Sequence, residues 1–148
     1  MRNKLTVTVT AAIVAVIFPI GFSSAEEAKP MVTQGVFSVP VSQADVGQDW
    51  NTRGYDCSIL SVGSGWRSSN HIHQSDQVAT PVEGRLALVV GEQRFEAGPG
   101  DELFLPSNTM HRLENSNTSK MVSSSDPGRL EMLYGLKHAV GAPPNRCN

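Results

Sequence analysis

Between Tyr55 and Leu136 the chain is cut into short apolar runs by turn chemistry. The breaks fall at Gly63-Ser64-Gly65, Glu83-Gly84, Gly91-Glu92, Gly98-Pro99-Gly100-Asp101 and Asp126-Pro127-Gly128. Glycine supplies positive φ and proline a fixed φ, so each break favours a reversal over continued extension. No run between them is long enough to compete as a helix, and Leu86, Leu88 and Val90 share one face at period two. Short strands spaced roughly 8–12 residues apart, with such turns between them, give an all-β sandwich or barrel.

The strands this pattern predicts are Tyr55–Val62, Val78–Val82, Arg85–Val90, Gln93–Ala97, Glu102–Leu105, Met110–Glu114 and Leu130–Leu136. Gly91-Glu92 joins the third and fourth as a two-residue hairpin of the II′ kind. Upstream, Gly35–Val41 reads as a short edge strand ended by Pro40. Ser42 is a helix cap, but Gly47 limits the helix it starts to a turn or two. Asn115–Lys120 is a polar loop containing the glycosylation pattern Asn117-Thr118-Ser119, which matters only in a eukaryotic secretory route.

Residues 1–25 carry a different signature. Arg2 and Lys4 precede the mostly apolar Leu5–Phe22, with Pro19 and Gly21 near its end and Ser23-Ser24-Ala25 after it. That is the layout of a signal peptide, with export to a periplasm or the exterior, and the alternative is an uncleaved anchor. The chain then divides into 1–25 signal peptide, 26–54 lead-in and edge strand, 55–138 β-barrel and 139–148 tail. Removing Arg2 and Lys4 leaves ten basic residues against fourteen acids, a formal −4. With no basic run and few aromatics, nucleic acid is excluded as a partner, and so is a membrane once the signal is cleaved. Export also places Cys57 and Cys147 where they either form a disulfide or stay as two thiols.

The chemistry concentrates at His71-Ile72-His73. Two histidines one residue apart face the same way on a strand, and Gln77 shares that face if the strand continues. His111 arrives after further strand-and-turn units. Three neutral imidazoles suit Fe, Zn, Ni, Mn or Cu and leave positions open on one divalent ion.

At these residues the chain resembles the cupin superfamily, in its small single-domain, cupin-2 form. Residues 65–84, GWRSSNHIHQSDQVATPVEG, reproduce the first cupin motif through Gly65, His71, His73, position 77 and Gly84. Residues 100–115, GDELFLPSNTMHRLEN, reproduce the second through Gly100, Pro106, His111 and Asn115, fifteen residues further on. Two positions depart from the family: Gln77 stands where Glu is usual, and Asn108 where Gly is usual. Asparagine tolerates a left-handed backbone, so Asn108 leaves the fold reading intact. The resemblance implies a double-stranded β-helix, or jelly-roll barrel, with His71, His73, Gln77 and His111 as metal ligands. Gln77 either ligates directly or hydrogen-bonds a metal-bound water, and its amide removes one negative charge from the shell.

Weaker pocket candidates surround these four. Ser69 and Ser75 share the ligands' parity, and Leu113 has inward parity where Met110 does not. Trp66 either lids the mouth or packs in the core. Arg85 either reaches a substrate carboxylate or lies in solvent, and Tyr134 is either a proton donor or structural. Phe104, Leu105 and Leu88 are expected to form a dry wall, and His138 belongs to no motif and reads as surface. The resemblance implies a metal-dependent enzyme on a small oxygen-rich, phenolic or enolisable substrate, of dioxygenase, lyase, decarboxylase or isomerase type. The competing reading is a non-catalytic module binding a small acid, a sugar or a metal ion. A homodimer formed through edge strands, with Gly35–Val41 as the candidate, is also implied.

Overall fold

The computed structural model describes residues 27–117, 128–138 and 147. The signal-like segment 1–25, the Asp126-Pro127 part of one turn and nearly all of the tail lie outside the described residues. In chain order the elements are β1 (Met31–Thr33), α1 (Gln43–Thr52), β2 (Ser58–Val62), β3 (Gln77–Glu83), β4 (Leu86–Val90), β5 (Gln93–Ala97), β6 (Glu102–Leu105), β7 (Arg112–Asn115) and β8 (Leu130–Leu136). Antiparallel pairing assembles the strands into two sheets, ordered β1-β6-β3-β8-β2 and β5-β4-β7. Among the described residues α1 is the one α-helix, so the protein is an all-β jelly roll.

Period-two alternation explains the first core. Leu86 and Leu88 of the smaller sheet meet Ala79, Leu103, Leu105, Leu130 and Met132 of the larger one, with Leu113 beside them. The β4–β5 hairpin holds its register from Leu86↔Ala97 to Val90↔Gln93 around Gly91, whose φ is 57°.

A second core lies on the other face of the larger sheet. Val46 and Trp50 of α1 pack there with Tyr55, Cys57, Val78, Leu133 and Cys147. Covered on both faces, β3 is buried at every position from Gln77 to Pro81. The disulfide Cys57–Cys147 spans 90 residues of sequence with its Cα atoms 5.6 Å apart, and draws the chain end into this core.

Two sequence expectations are corrected here. The helix is not limited to a turn or two: it runs ten residues from the Ser42 cap, whose Oγ accepts from Asp45 N–H at 3.2 Å. Burial of Val46 and Trp50 outweighs the roughly 1 kcal/mol that Gly47 costs. Trp50 is fully buried, and its Nε1 donates to Glu102 Oε2 at 2.8 Å. Close packing reaches the backbone at Gly135 of β8, where a Cβ would stand 2.1 Å from the Asp56 carbonyl oxygen.

The edge strand also lies elsewhere than Gly35–Val41. It is β1, paired from Met31↔Phe104 to Thr33↔Glu102. At Gly35 the chain turns with φ 62°, and the Gly35 N–H donates to Asp101 Oδ1 at 2.9 Å. A carboxylate 66 residues further along the chain therefore fixes a turn where the sequence suggested extension.

Candidate metal centre

The histidine segment is not the start of β3. From Trp66 to His71 it runs alongside β7 as an extra edge of the smaller sheet. Asn115 N–H donates to the Trp66 carbonyl, Ser68 N–H to the Leu113 carbonyl, and His71 and His111 exchange backbone bonds, all at 2.9 Å. The chain then bends at Gln74-Ser75 and enters the larger sheet at Gln77. The histidines and Gln77 therefore meet across a corner between the sheets, not along one continuous strand face. Period-two parity lapses at that corner, which corrects the reading of Ser75: it lies in the bend and does not line the cavity. Ser69 is exposed and contributes its carbonyl instead.

His71, His73 and His111 converge. A ligand nitrogen from each lies within 4.8 Å of the others, and the ring centroids are 4.3 to 5.4 Å apart. The Nδ1 atoms of His71 and His111 lie 2.8 and 2.9 Å from the carbonyls of Ser69 and Thr109. A carbonyl can only accept, so both Nδ1 atoms carry the proton and both Nε2 atoms are left with a free lone pair. His111 is 1% exposed and Gln77 4% exposed, yet His111 Nε2 and Gln77 Oε1 have no hydrogen-bond partner. Buried acceptors are normally paired. Here the three imidazoles offer lone pairs around a common space, a donor set that could hold a divalent transition metal, and Gln77 lines the cavity beside them. Burial lowers the His73 and His111 pKa values, and the neighbouring imidazoles add to it, which favours the neutral, ligating form.

Backbone contacts hold the second motif against the first. Asn108 sits at φ 58°, and its N–H donates to the His73 carbonyl at 2.7 Å. Ser107 N–H donates to Asp76 Oδ1 at 2.9 Å. Asn115 Nδ2 donates to the carbonyls of Gly63 and Gly128 at 2.8 and 2.6 Å, pinning the entry to the histidine segment. The neighbouring Asn117 Nδ2 is committed to the Arg129 carbonyl at 2.9 Å, while Thr118 and Ser119 of the glycosylation pattern lie outside the described residues.

A cavity of about 210 Å³ opens beside the histidines, lined by Leu60, Trp66, Ser68, His71, His73, Gln77, Leu113, Met132 and Tyr134. The structure thus brings Trp66, Leu113 and Tyr134 together with the ligand set. Arg85 is not among them: it lies on the exterior, 3.8 Å from Glu96, because it leaves the turn on the solvent side. The expected dry wall is also redrawn. Phe104 has outward parity and packs in the second core, while Leu88 and Leu105 fill the first. His138 is half-buried, with Nε2 3.0 Å from Asp56 Oδ2. Leu60, Ser68 and Met132 complete the lining without having been singled out. Met132 has the parity of Tyr134, and Leu60 faces it across the β2–β8 register, so the signal was present.

The family model for the cupin domain matches residues 58–123. The chain carries a cupin domain. A curated relative, an uncharacterized protein of Methanocaldococcus jannaschii, is 31% identical over 58 residues, which cover 39% of this chain and 46% of that one. The match therefore spans about half the relative's length. Among solved structures, a cupin superfamily protein of Desulfitobacterium hafniense is similar at 18% identity and TM-score 0.45, covering 76% of this chain and 81% of that one. A cupin-2 conserved barrel protein of Salinispora arenicola is similar at 22% identity and TM-score 0.47, with coverages of 58% and 65%. The salicylate 1,2-dioxygenase of Pseudoaminobacter salicylatoxidans is similar at 15% identity and TM-score 0.44, covering 55% of this chain and 19% of the dioxygenase.

Proposed function

We propose that this cupin is an exported, metal-dependent enzyme acting on a small phenolic or enolisable substrate. The observation that carries the reading is the convergence of His71, His73 and His111, with unpartnered His111 Nε2 and Gln77 Oε1, on a mainly apolar cavity. A divalent transition metal held there supplies a Lewis acid with positions open to substrate oxygens. The Ser69 and Thr109 carbonyls keep His71 and His111 in the ligating tautomer. Gln77 supplies an amide oxygen, as a ligand or as an acceptor for bound water. Trp66, Leu60, Leu113 and Met132 exclude bulk water, and Tyr134 places a phenol on the same wall.

Export is part of the proposal. The Cys57–Cys147 disulfide supports it, because such bridges persist outside a reducing cytosol. Among the described residues no helix is long and apolar enough to cross a membrane, and residues 1–26 lie outside them. For a homodimer the exposed edge strand β1, not Gly35–Val41, is the strand a second copy would extend.

The test is metal analysis of protein from its own host, followed by O₂ consumption and product analysis across enolisable acids and phenols. The expected result is about one transition-metal ion per chain and turnover that His111→Ala abolishes. Metal retention without turnover of any substrate would favour the binding-module reading. Absence of a bound metal would overturn the proposal.

A further inference from the structure

The charge inventory of the cavity narrows the ligand class, an inference that rests on the proposed metal site. Among the described residues no Asp, Glu, Lys or Arg lines the space. Arg53 is paired with Glu102, Arg94 and Arg112 with Glu114, and Arg129 with Glu131, while Arg67, between Trp66 and Ser68, is exposed and does not line the space. Ser68 is spent as well, since its Oγ donates to the Ser69 carbonyl and accepts from Leu113 N–H, both at 3.0 Å. Few polar groups then remain for a ligand: the imidazole nitrogens, the Gln77 amide, the Trp66 indole N–H and the Tyr134 hydroxyl, the last two without a hydrogen-bond partner among the described residues.

Three neutral imidazoles and an amide leave the two positive charges of a bound ion uncompensated, so the ligand must bring negative charge to the metal end itself. Away from that end no cation pairs a carboxylate, phosphate or sulfate, and two neutral donors are too few for a sugar's hydroxyls. Size sets the remaining bound. An enclosed cavity of about 150 Å³ accommodates benzene, so about 210 Å³ in this solvent-open cavity accommodates one ring with small substituents.

We propose that the site selects a single-ring chelator whose ionised oxygen meets the metal and whose remaining surface is uncharged and apolar. Gln77 is the specificity determinant at one end, because a carboxylate there would compete with the ligand's own charge. Leu60, Trp66, Leu113 and Met132 are the determinants at the other.

The experiment is calorimetric titration of the full protein at neutral pH, first with Zn²⁺ alone. The Zn²⁺-loaded protein then receives tropolone, 4-methylcatechol and 3,4-dihydroxybenzoate. The last two share a chelating end and differ by methyl against carboxylate. The expected result is that 4-methylcatechol binds more tightly by about tenfold or more, and that Gln77→Glu weakens tropolone by about tenfold while Zn²⁺ still binds. Equal or tighter binding of 3,4-dihydroxybenzoate would overturn the inference while leaving the metal reading in place. So would unchanged tropolone affinity in zinc-loaded Gln77→Glu. Failure of Zn²⁺ to bind the unaltered protein would overturn the metal reading, and the inference with it. Should Gln77→Glu not fold, the methyl–carboxylate pair decides.

Discussion

His71 and His111 donate to each other's carbonyls at 2.9 Å in each direction, which sets their rings 4.3 Å apart between centroids. Two of the three imidazoles are therefore placed by backbone pairing, independently of any ion. The site is preorganised, and its parts can be removed one at a time.

His73 is the ligand whose loss should cost the fold least. Its carbonyl is held by Asn108 N–H, a contact that His73→Ala keeps. Zn²⁺ affinity should fall by at least the roughly 10–100-fold that loss of a supporting hydrogen bond costs. Far-UV circular dichroism should be unchanged, and unaltered metal content in the purified variant would refute the assignment.

Asn115 is 8% exposed and ties Gly63 to Gly128. Asn115→Ala removes one donor from each of those carbonyls, leaving Gly63 with Trp66 N–H at 3.3 Å and Gly128 with Asn117 Nδ2 at 3.2 Å, and unpairs the Asn117 N–H that bonds its Oδ1 at 3.0 Å. Stability should drop by about 1–2 kcal/mol in denaturant unfolding, for three lost hydrogen bonds of which only the Asn117 N–H is left without a partner. Zn²⁺ affinity should also weaken, because the same contact anchors the entry to the histidine segment.

The bridge between Cys57 and Cys147 closes a loop of 90 residues. Cross-links over loops of that length typically contribute about 2–4 kcal/mol. Reduction, or Cys147→Ser, should lower the urea midpoint by a corresponding amount. A midpoint unaffected by dithiothreitol would show that the bridge constrains nothing.

Glu114 carries the acid-side signal. Hydrogen bonds from Arg94 and Arg112 hold its pKa below the usual carboxylate value. A depressed folded-state pKa adds stability above the unfolded value, and that stability is lost as pH falls through the folded one. The pair is near the surface, so the gain should stay under about 1 kcal/mol. Glu114→Gln should be slightly less stable at neutral pH, and the gap to the parent should close as pH drops below about 4.3. A gap independent of pH would refute the linkage.

How much of the fold and the site was legible depended on whether period two or spacing carried the message. The β4–β5 hairpin and β8 followed from alternation and turn residues, and the histidines with Gln77 from motif spacing. Three-residue β1 is too short to show a period. The helix α1 persists through Gly47 because Leu133 and Val78 await Val46 and Trp50, a tertiary partner that local sequence does not reveal. Ser75 departs from its expected place because parity counts only while the chain stays in one sheet, whereas Arg85 takes the solvent alternative that the sequence leaves open. Met132 escaped notice because β8 is covered on both faces, so Leu133 beside it is apolar too.

The stretch matched to the family ends at residue 123, yet β8 begins at Leu130 and sits between β3 and β2. A fragment trimmed to the recognised boundaries would deprive β2 of its hydrogen-bonded neighbour and open the middle of the larger sheet. The unit that folds is thus wider than the unit that is recognised, and expression work should keep β1, α1 and Cys147 along with it.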